Sequence, residues 1–598
     1  MAWYDEAVFY HIYPLGLTGA PKQNDYGEPV HRLNTLIPWI GHIREIGCNA
    51  LYIGPLFESV GHGYETTDYK KLDSRLGTNE DLTNFVAECH KQGIRVILDG
   101  VFNHTGRDFF AFADIKKNRE NSQYRDWYCN VNFGGNNEYN DGFSYDNWGG
   151  YNLLVKLNQH NPAVRQYICD VVRFWVSEFD IDGLRLDAAD VLDFSVMQDL
   201  RNVAKEVKPE FWLMGEVIHG DYSRWVNEGT LHSVTNYQLH KALYSGHNDH
   251  NYFEIAHTVR RLYEMGGNRP DGLKLYNFVD NHDVERIYTK LSDKAQFFPV
   301  HVLLYTLPGV ASIYYGSEFG IEGRKEKFSD DSLRPALNLD DYADALENNA
   351  CTRLIAALGH IRQNTKSLSY GDYRELLLMN RQYAFSRTYE GQTVIVTVNN
   401  DDSDYVMTLP AGNASAYMGA LSKEKVSVVN GNICVNVKRT SGEIWIPCED
   451  NREEQQEQPQ RAEKAKSAEV KQEASQVKVT NEEAVKKEEA LQTEAPQVNV
   501  ADKQEKEPEK KAEVEKVEEL KVNVTEKQEK ASANSFEMTD EIRTKLQNQA
   551  FDQMTIEELQ IAVRDRMAQN GPVTDQMMKT ITDNIYHDSL VNWIRSFH

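Results

Sequence analysis

Eight short apolar runs, rich in β-branched and aromatic residues, punctuate the first three-fifths of this 598-residue chain. They fall at 8–17, 50–57, 95–102, 183–189, 211–217, 233–239, 274–279 and 310–316. Between them the apolar spacing becomes that of a helix, at 35–47, 80–93, 162–179, 194–207, 253–265 and 351–363. In 162–179, for example, Val164, Ile168, Val171, Val172, Trp175 and Val176 recur on a helical period behind Pro162. Strands alternating with helices in this way predict an α/β fold, parallel strands closed into a (β/α)8 TIM barrel.

One interval breaks the alternation. The stretch from His104 to Asn161 is far longer than an ordinary βα loop and is rich in Asn, Gly, Tyr and Trp. It reads as a small domain inserted after strand 3, at about 105–160, within a catalytic barrel spanning 1–370. From 371 to 448 short alternating strands predict a C-terminal antiparallel β-sandwich. Residues 450–533 then contain no aromatic residue and no glycine, and Glu, Lys, Gln, Ala and Val dominate. Such a segment has too little apolar surface to fold alone, so 449–534 reads as a charged, disordered linker. Apolar residues return on a helical period at 535–598, which reads as a small helical module able to dock a protein partner.

The net charge of −26 argues against nucleic acid or an anionic membrane as the main partner. No run is long enough for a membrane span, and the start MAWYDEAVFYHIYP lacks the pattern of a secretory signal. Seven cysteines without CxxC spacing fit reduced thiols in a cytoplasmic protein better than a zinc site.

Four apolar runs end in polar segments that carry chemistry: DGVFNH at 99–104, GLRLDAAD at 183–190, GEV at 215–217 and FVDNHD at 278–283. In a parallel barrel the C-terminal strand ends share one mouth, so Asp187, Glu216 and Asp283 would meet there, with Arg185, His104 and His282 around them. Such carboxylates suit glycosidic bond cleavage. Asp187 follows Arg185 by two residues, which puts both on one side of a strand and predicts a cation that keeps the carboxylate ionised. Glu216 follows the apolar run WLMG, whose desolvation would keep it protonated, as an acid must be. Asp283 stands at the end of the seventh strand, placed to stabilise positive charge. A neutral His104 would donate to sugar hydroxyls, and Tyr64, in HGYETTDY, is placed to stack on a sugar ring. Each residue alone also has a structural reading: an Arg–Asp bridge, a surface Glu, an N-cap before VERIY for Asp283, a structural His, a buried Tyr.

Together and in order, the four segments resemble the signature of the α-amylase superfamily of glycoside hydrolases and transglycosylases, over roughly residues 1–447. VKLNQHNPAVR at 155–165 is similar to the MPKLN segment of the neopullulanase, cyclomaltodextrinase and maltogenic amylase branch. TNYQL at 235–239 and PGVASIYYGSEFGIEG at 308–323 resemble the same branch. Two positions depart from the relatives: Asp190 replaces a calcium-associated His of many secreted α-amylases, and Glu65 a common Asp of the branch.

The resemblance implies Asp187 as nucleophile, Glu216 as acid/base and Asp283 as transition-state stabiliser, with Tyr64, His104, Arg185 and His282 shaping the substrate site. It implies a retaining enzyme that cleaves α-1,4 glucosidic bonds in maltodextrins or related oligosaccharides, with α-1,6 cleavage left open. An α-glucosidase or transglycosylase on the same scaffold is the alternative, and a non-catalytic carbohydrate-binding relative is a third reading. No cofactor is required; calcium is allowed, with Asn103 as its weak candidate ligand.

Overall fold

The computed structural model describes residues 2–266, 272–327, 329–449, 540–547, 554–570 and 594. It divides into two units, Met1–Gln476 and Val477–His598.

Eight parallel strands form the first unit's central sheet: β1 (Val8–Ile12), β2 (Ala50–Ile53), β3 (Arg95–Gly100), β4 (Gly183–Leu186), β5 (Trp212–Gly215), β6 (Ser233–Val234), β7 (Tyr276–Asn277) and β8 (Val310–Tyr314). Their spatial order is β6-β5-β4-β3-β2-β1-β8-β7. A parallel bridge between Thr235 and Tyr276 joins the two ends, with the Asn236 amide donating to the Tyr276 carbonyl at 2.9 Å, so the sheet closes into a barrel. Outside it stand α1 (Ile37–Glu45), α2 (Asn79–Lys91), α3 (Pro162–Phe179), α4 (Phe194–Val207), α5 (Tyr237–Asn248), α6 (Tyr252–Met265), α7 (Phe297–Thr306) and α8 (Ala350–Asn364).

Alternation along each strand sorts the side chains. Val8, Tyr10, Ile12, Leu51, Ile53, Val96, Leu98 and Leu184 belong to the large core shared with the helices. Phe9, Ala50, Tyr52, Ile97, Trp212, Met214 and Tyr276 form a separate cluster that fills the barrel. Trp212 stacks on Phe9 with ring centroids 5.0 Å apart. Gly183 makes room for it: a Cβ there would meet the Trp212 carbonyl oxygen at 2.5 Å and Ile97 Cγ2 at 2.9 Å.

One element differs from the sequence reading. The run 233–239, expected as one strand, is the two-residue β6 followed by α5, because the Asn236 side chain accepts from the Leu239 amide and caps a helix. Helix α7 is buried on nearly every side, packed against the C-terminal strands Gln392–Asn399 and Ser441–Cys448 as well as the barrel, so its sequence carries no amphipathic period.

The insertion is present as expected, built on three short antiparallel strands (His104–Thr105, Tyr151–Lys156, Asn147–Trp148). It also contains a helix, Phe110–Asn118, that was not foreseen. The C-terminal sheets follow, six strands in one and two in the other. Ile395, Met407, Leu409, Tyr417, Ile433, Val435 and Trp445 pack between them, which is the expected sandwich.

In the second unit, helices Asp540–Gln547 and Ile556–Asn570 bring Ile542, Met554, Leu559, Ala562 and Val563 into a small apolar cluster. The linker expected at 449–534 lies, after its first residue, outside the described residues. Among the described residues no helix is long and apolar enough to cross a membrane.

Candidate active site

The inward phase of three neighbouring strands builds the site. Ile97 leads to Asp99, Gly183 to Arg185 and then Asp187, Trp212 to Met214 and then Glu216. The register places Asp99 beside Arg185 and Met214 on Arg185's other side. The barrel's apolar filling therefore gives way, one pleat higher, to a cation, and above that to carboxylates. The Asp187 amide bonds the Gly100 carbonyl and the Glu216 amide bonds the Leu186 carbonyl, which holds both acids at the mouth.

Arg185 ties the acids together. Its Nη1 donates to both oxygens of Asp99 (2.8 and 3.0 Å) and to Asp187 Oδ1 (3.0 Å). Its Nη2 lies 2.7 Å from Glu216 Oε2. Tyr52 donates to Asp99 Oδ2 at 2.9 Å and Tyr64 to the same oxygen at 3.2 Å, so Asp99 anchors the guanidinium from below. Directly after Asp187, Ala188 takes a left-handed conformation (φ 45°), and its amide donates to Glu216 Oε2 at 3.1 Å. A non-glycine residue held there costs about 1–3 kcal/mol, strain characteristic of sites whose backbone is set for function.

Two expectations about these acids need correction. Burial pushes the Asp187 carboxyl well above the ordinary range, and the charges of Glu216, Asp99 and Asp283 add to this, outweighing the opposing Arg185. Arg185 shares its charge with Asp99 and Glu216 as well. Glu216, expected in an apolar pocket, instead accepts from the Ala188 amide and pairs with Arg185, because it points inward among the polar strand ends and not along the WLMG run.

Asp283 does not cap the helix that follows; Asp280 Oδ2 accepts from the Ile287 amide there. Asp283 Oδ1 accepts from Arg334 Nη2 at 2.8 Å, and Oδ2 lies 3.0 Å from His282 Nε2. Burial alone would raise its pKa, but His282, Arg334 and Arg185 together carry it well below the usual carboxylate range.

His104 lies four residues past β3, in the insertion's first strand. Burial lowers its pKa to about 3, so the ring is neutral as expected. Its nitrogens are engaged by protein, Nε2 with the Tyr64 carbonyl oxygen at 3.1 Å and Nδ1 with Asn103 Nδ2 at 3.2 Å, which makes it a support for Tyr64. The Tyr64 hydroxyl also bonds His282, and the two rings stack with centroids 5.7 Å apart.

A cavity of about 360 Å3 gathers Tyr64, His104, Asp187, Glu216 and Asp283, while Arg185 and His282 stand buried behind its wall. Sequence reasoning missed Arg334, Asp330, His62, Trp148 and Ile218, which also line it. It also missed two connecting residues, Asn281, which is buried, and Tyr237, which is half-buried. Asn281 Nδ2 donates to the Tyr237 hydroxyl at 3.3 Å, and that hydroxyl lies 3.3 Å from Glu216 Oε1. Asn281 Oδ1 accepts from the Asp283 amide at 2.8 Å, so one carboxamide connects two of the three acids. Both residues lie inside segments already singled out, TNYQL and FVDNHD. Tyr237→Phe is therefore expected to lower kcat about tenfold and leave KM within about twofold, because it frees Glu216 Oε1 without touching the cavity wall; steady-state kinetics with a matched thermal unfolding curve check this.

Asn103 Oδ1, buried and unpartnered, is the sequence's calcium candidate. Calcium takes about 6–8 oxygen ligands, and among the described residues no group of three His, Cys, Asp or Glu gathers to hold a metal. No step below runs through a metal ion.

A closed parallel barrel whose mouth carries three carboxylates around one cavity has the architecture of a barrel glycoside hydrolase. Residues 24–357 match the alpha amylase catalytic domain and residues 371–445 the alpha-amylase C-terminal domain; the chain belongs to the alpha-amylase family. It is 31% identical over 431 residues to a cyclomaltodextrinase of Thermoanaerobacter pseudethanolicus, covering 68% of this chain and 72% of that one. It is 30% identical over 472 residues to neopullulanase 2 of Thermoactinomyces vulgaris, covering 74% and 78%. Among solved structures, a cyclomaltodextrinase superposes with a TM-score of 0.65 at 26% identity, covering 74% of this chain and 78% of that one. The debranching enzyme of Nostoc punctiforme superposes with a TM-score of 0.63 at 27% identity, covering 74% and 98%.

Proposed function

We propose that this enzyme hydrolyses α-1,4 bonds in maltodextrins, and α-1,6 bonds as a second linkage, by a retaining double displacement. The observation that carries the reading is Arg185, which binds Asp187 with one amino group and Glu216 with the other. Carboxyl groups sharing one guanidinium stand close together, which is compatible with the roughly 5 Å spacing of a retaining enzyme.

Glu216 Oε2 faces an amide and a guanidinium, so Oε1 is the oxygen that carries the transferable proton. Glu216 protonates the glycosidic oxygen as Asp187 attacks the anomeric carbon, and the leaving chain departs. Water then attacks the glycosyl–Asp187 ester while Glu216 takes its proton, and both acids return to their starting states. Asp283, held ionised by His282 and Arg334, faces the positive charge that develops on the ring.

The names of the relatives, cyclomaltodextrinase and neopullulanase, support an α-glucan substrate. The cytoplasm is the compartment we assign, supported by seven free cysteines. The helical module at the C-terminal end is our candidate for docking a protein partner.

A time-resolved product profile on maltoheptaose, pullulan and β-cyclodextrin tests the reading. Shorter maltodextrins from maltoheptaose are expected. Products longer than the substrate would favour the transglycosylase alternative, and no new reducing ends from any of the three would refute the hydrolase.

A further inference from the structure

We infer that the foot of the barrel, opposite the active site, carries an oxyanion-binding site built on Arg201 and His232, which takes phosphate as the free ion or as an ester.

A cavity of about 340 Å3 opens at that end. Trp212 and Val310, the first residues of β5 and β8, line it, so it lies where the strands begin, whereas the active site lies where they end. Tyr4, Asp5, His232 and Lys274 supply its polar groups. None of these six residues lines the catalytic cavity.

The hydrogen bonds of His232 decide what such a cavity can take. The Leu213 amide donates to His232 Nδ1 at 3.0 Å, so that nitrogen carries no proton. Burial, helped by the charges of Arg201 and Lys205, lowers the pKa of the ring to about 3. A neutral ring that accepts at Nδ1 carries its one proton on Nε2. Nε2 faces Nη1 of Arg201, which projects from α4. A guanidinium has only N–H groups to offer, so two donors meet and neither is an acceptor for the other. Arg201 Nε, a third N–H, is buried without a partner. Among the described residues no carboxylate forms a salt bridge with Arg201, and burial lowers its pKa against the pull of Tyr4 and Glu228.

Buried donors without acceptors are costly, and charge-assisted bonds to one anion satisfy several of them at once. The wall of the cavity does not oppose an anion, because Asp5 is balanced by Lys274, 2.9 Å away. A carboxylate offers two oxygens in one plane. Phosphate offers its oxygens in three dimensions, which suits donors arriving from α4, from the residue before β6 and from Lys274 before β7. The space exceeds that of a bare ion. The Tyr4 ring, centred 5.2 Å from the His232 ring and stacked on Trp212, gives the carbon skeleton of an ester an apolar face beside the donors.

Equilibrium dialysis of the full chain against radiolabelled inorganic phosphate, at fixed ionic strength, gives the test. Saturable binding of one phosphate per chain is expected. Arg201→Met and His232→Phe should each weaken it about tenfold or more, the loss of one charge-assisted contact. Arg201→Met removes a buried charge that no carboxylate pairs, so its thermal midpoint in chloride should not fall below that of the wild type. Phosphate should then raise the wild-type midpoint more than that of Arg201→Met, since its general exclusion from protein surfaces acts on both alike. Displacement of the label by glucose 6-phosphate at lower concentration than by unlabelled phosphate assigns the cavity to an ester, and the reverse order assigns it to the free ion. No saturable binding to the wild type, or equal binding by the wild type and both variants, would overturn the site.

Discussion

Glu216→Gln is expected to remove nearly all turnover of unactivated maltodextrin, by at least about 10²–10⁴-fold, the usual contribution of a positioned proton donor. The substitution keeps the size and shape of the side chain and deletes the proton. The fold should survive it, because Arg185 retains Asp99 and Asp187 as partners and no buried cation is left uncompensated. Kinetics on maltoheptaose with a parallel thermal unfolding curve measure both effects. Near-wild-type kcat would take Glu216 out of the mechanism.

Asp187→Asn should be as damaging, roughly 10⁴-fold or more in kcat, since a carboxamide cannot form the glycosyl ester. Arg185 again keeps two carboxylates, so the loss is expected without unfolding. The raised pKa of Asp187 adds a second signature in the wild-type enzyme. The nucleophile works only when ionised, and burial with the neighbouring acids favours its protonated form. Activity is therefore present above the raised pKa and lost as pH falls through it, so the acid limb of kcat/KM should lie above the ordinary aspartate value of about 3.9. A limb at or below that value would mean that Arg185 outweighs burial.

The barrel was legible because its strands alternate strictly and the functional residues continue that alternation: Arg185 and Asp187 two apart, Glu216 two beyond Met214. What lay beyond the sequence was created by closure. Arg334 reaches Asp283 from a loop 51 residues downstream with no periodicity of its own, and only the neighbouring positions of β7 and β8 bring them together. Tyr237 was hidden differently. Seven residues of apolar spacing at 233–239 do not separate a strand from a helix start, and the Asn236 cap that decides between them is a hydrogen bond. The electrostatics were the hardest to read. The spacing of Arg185 and Asp187 correctly implied a contact, but the sign of the pKa shift depended on burial and on the nearness of Glu216, Asp99 and Asp283, which only the folded barrel brings about.

The central claim is that Asp187 forms and then releases a covalent glycosyl ester. Proton NMR of the first product released from maltoheptaose, recorded before mutarotation, tests it most directly. Two displacements at one carbon retain configuration, so the α-anomer is the predicted first product; an initial β-anomer would mean a single displacement and would contradict the nucleophile assignment.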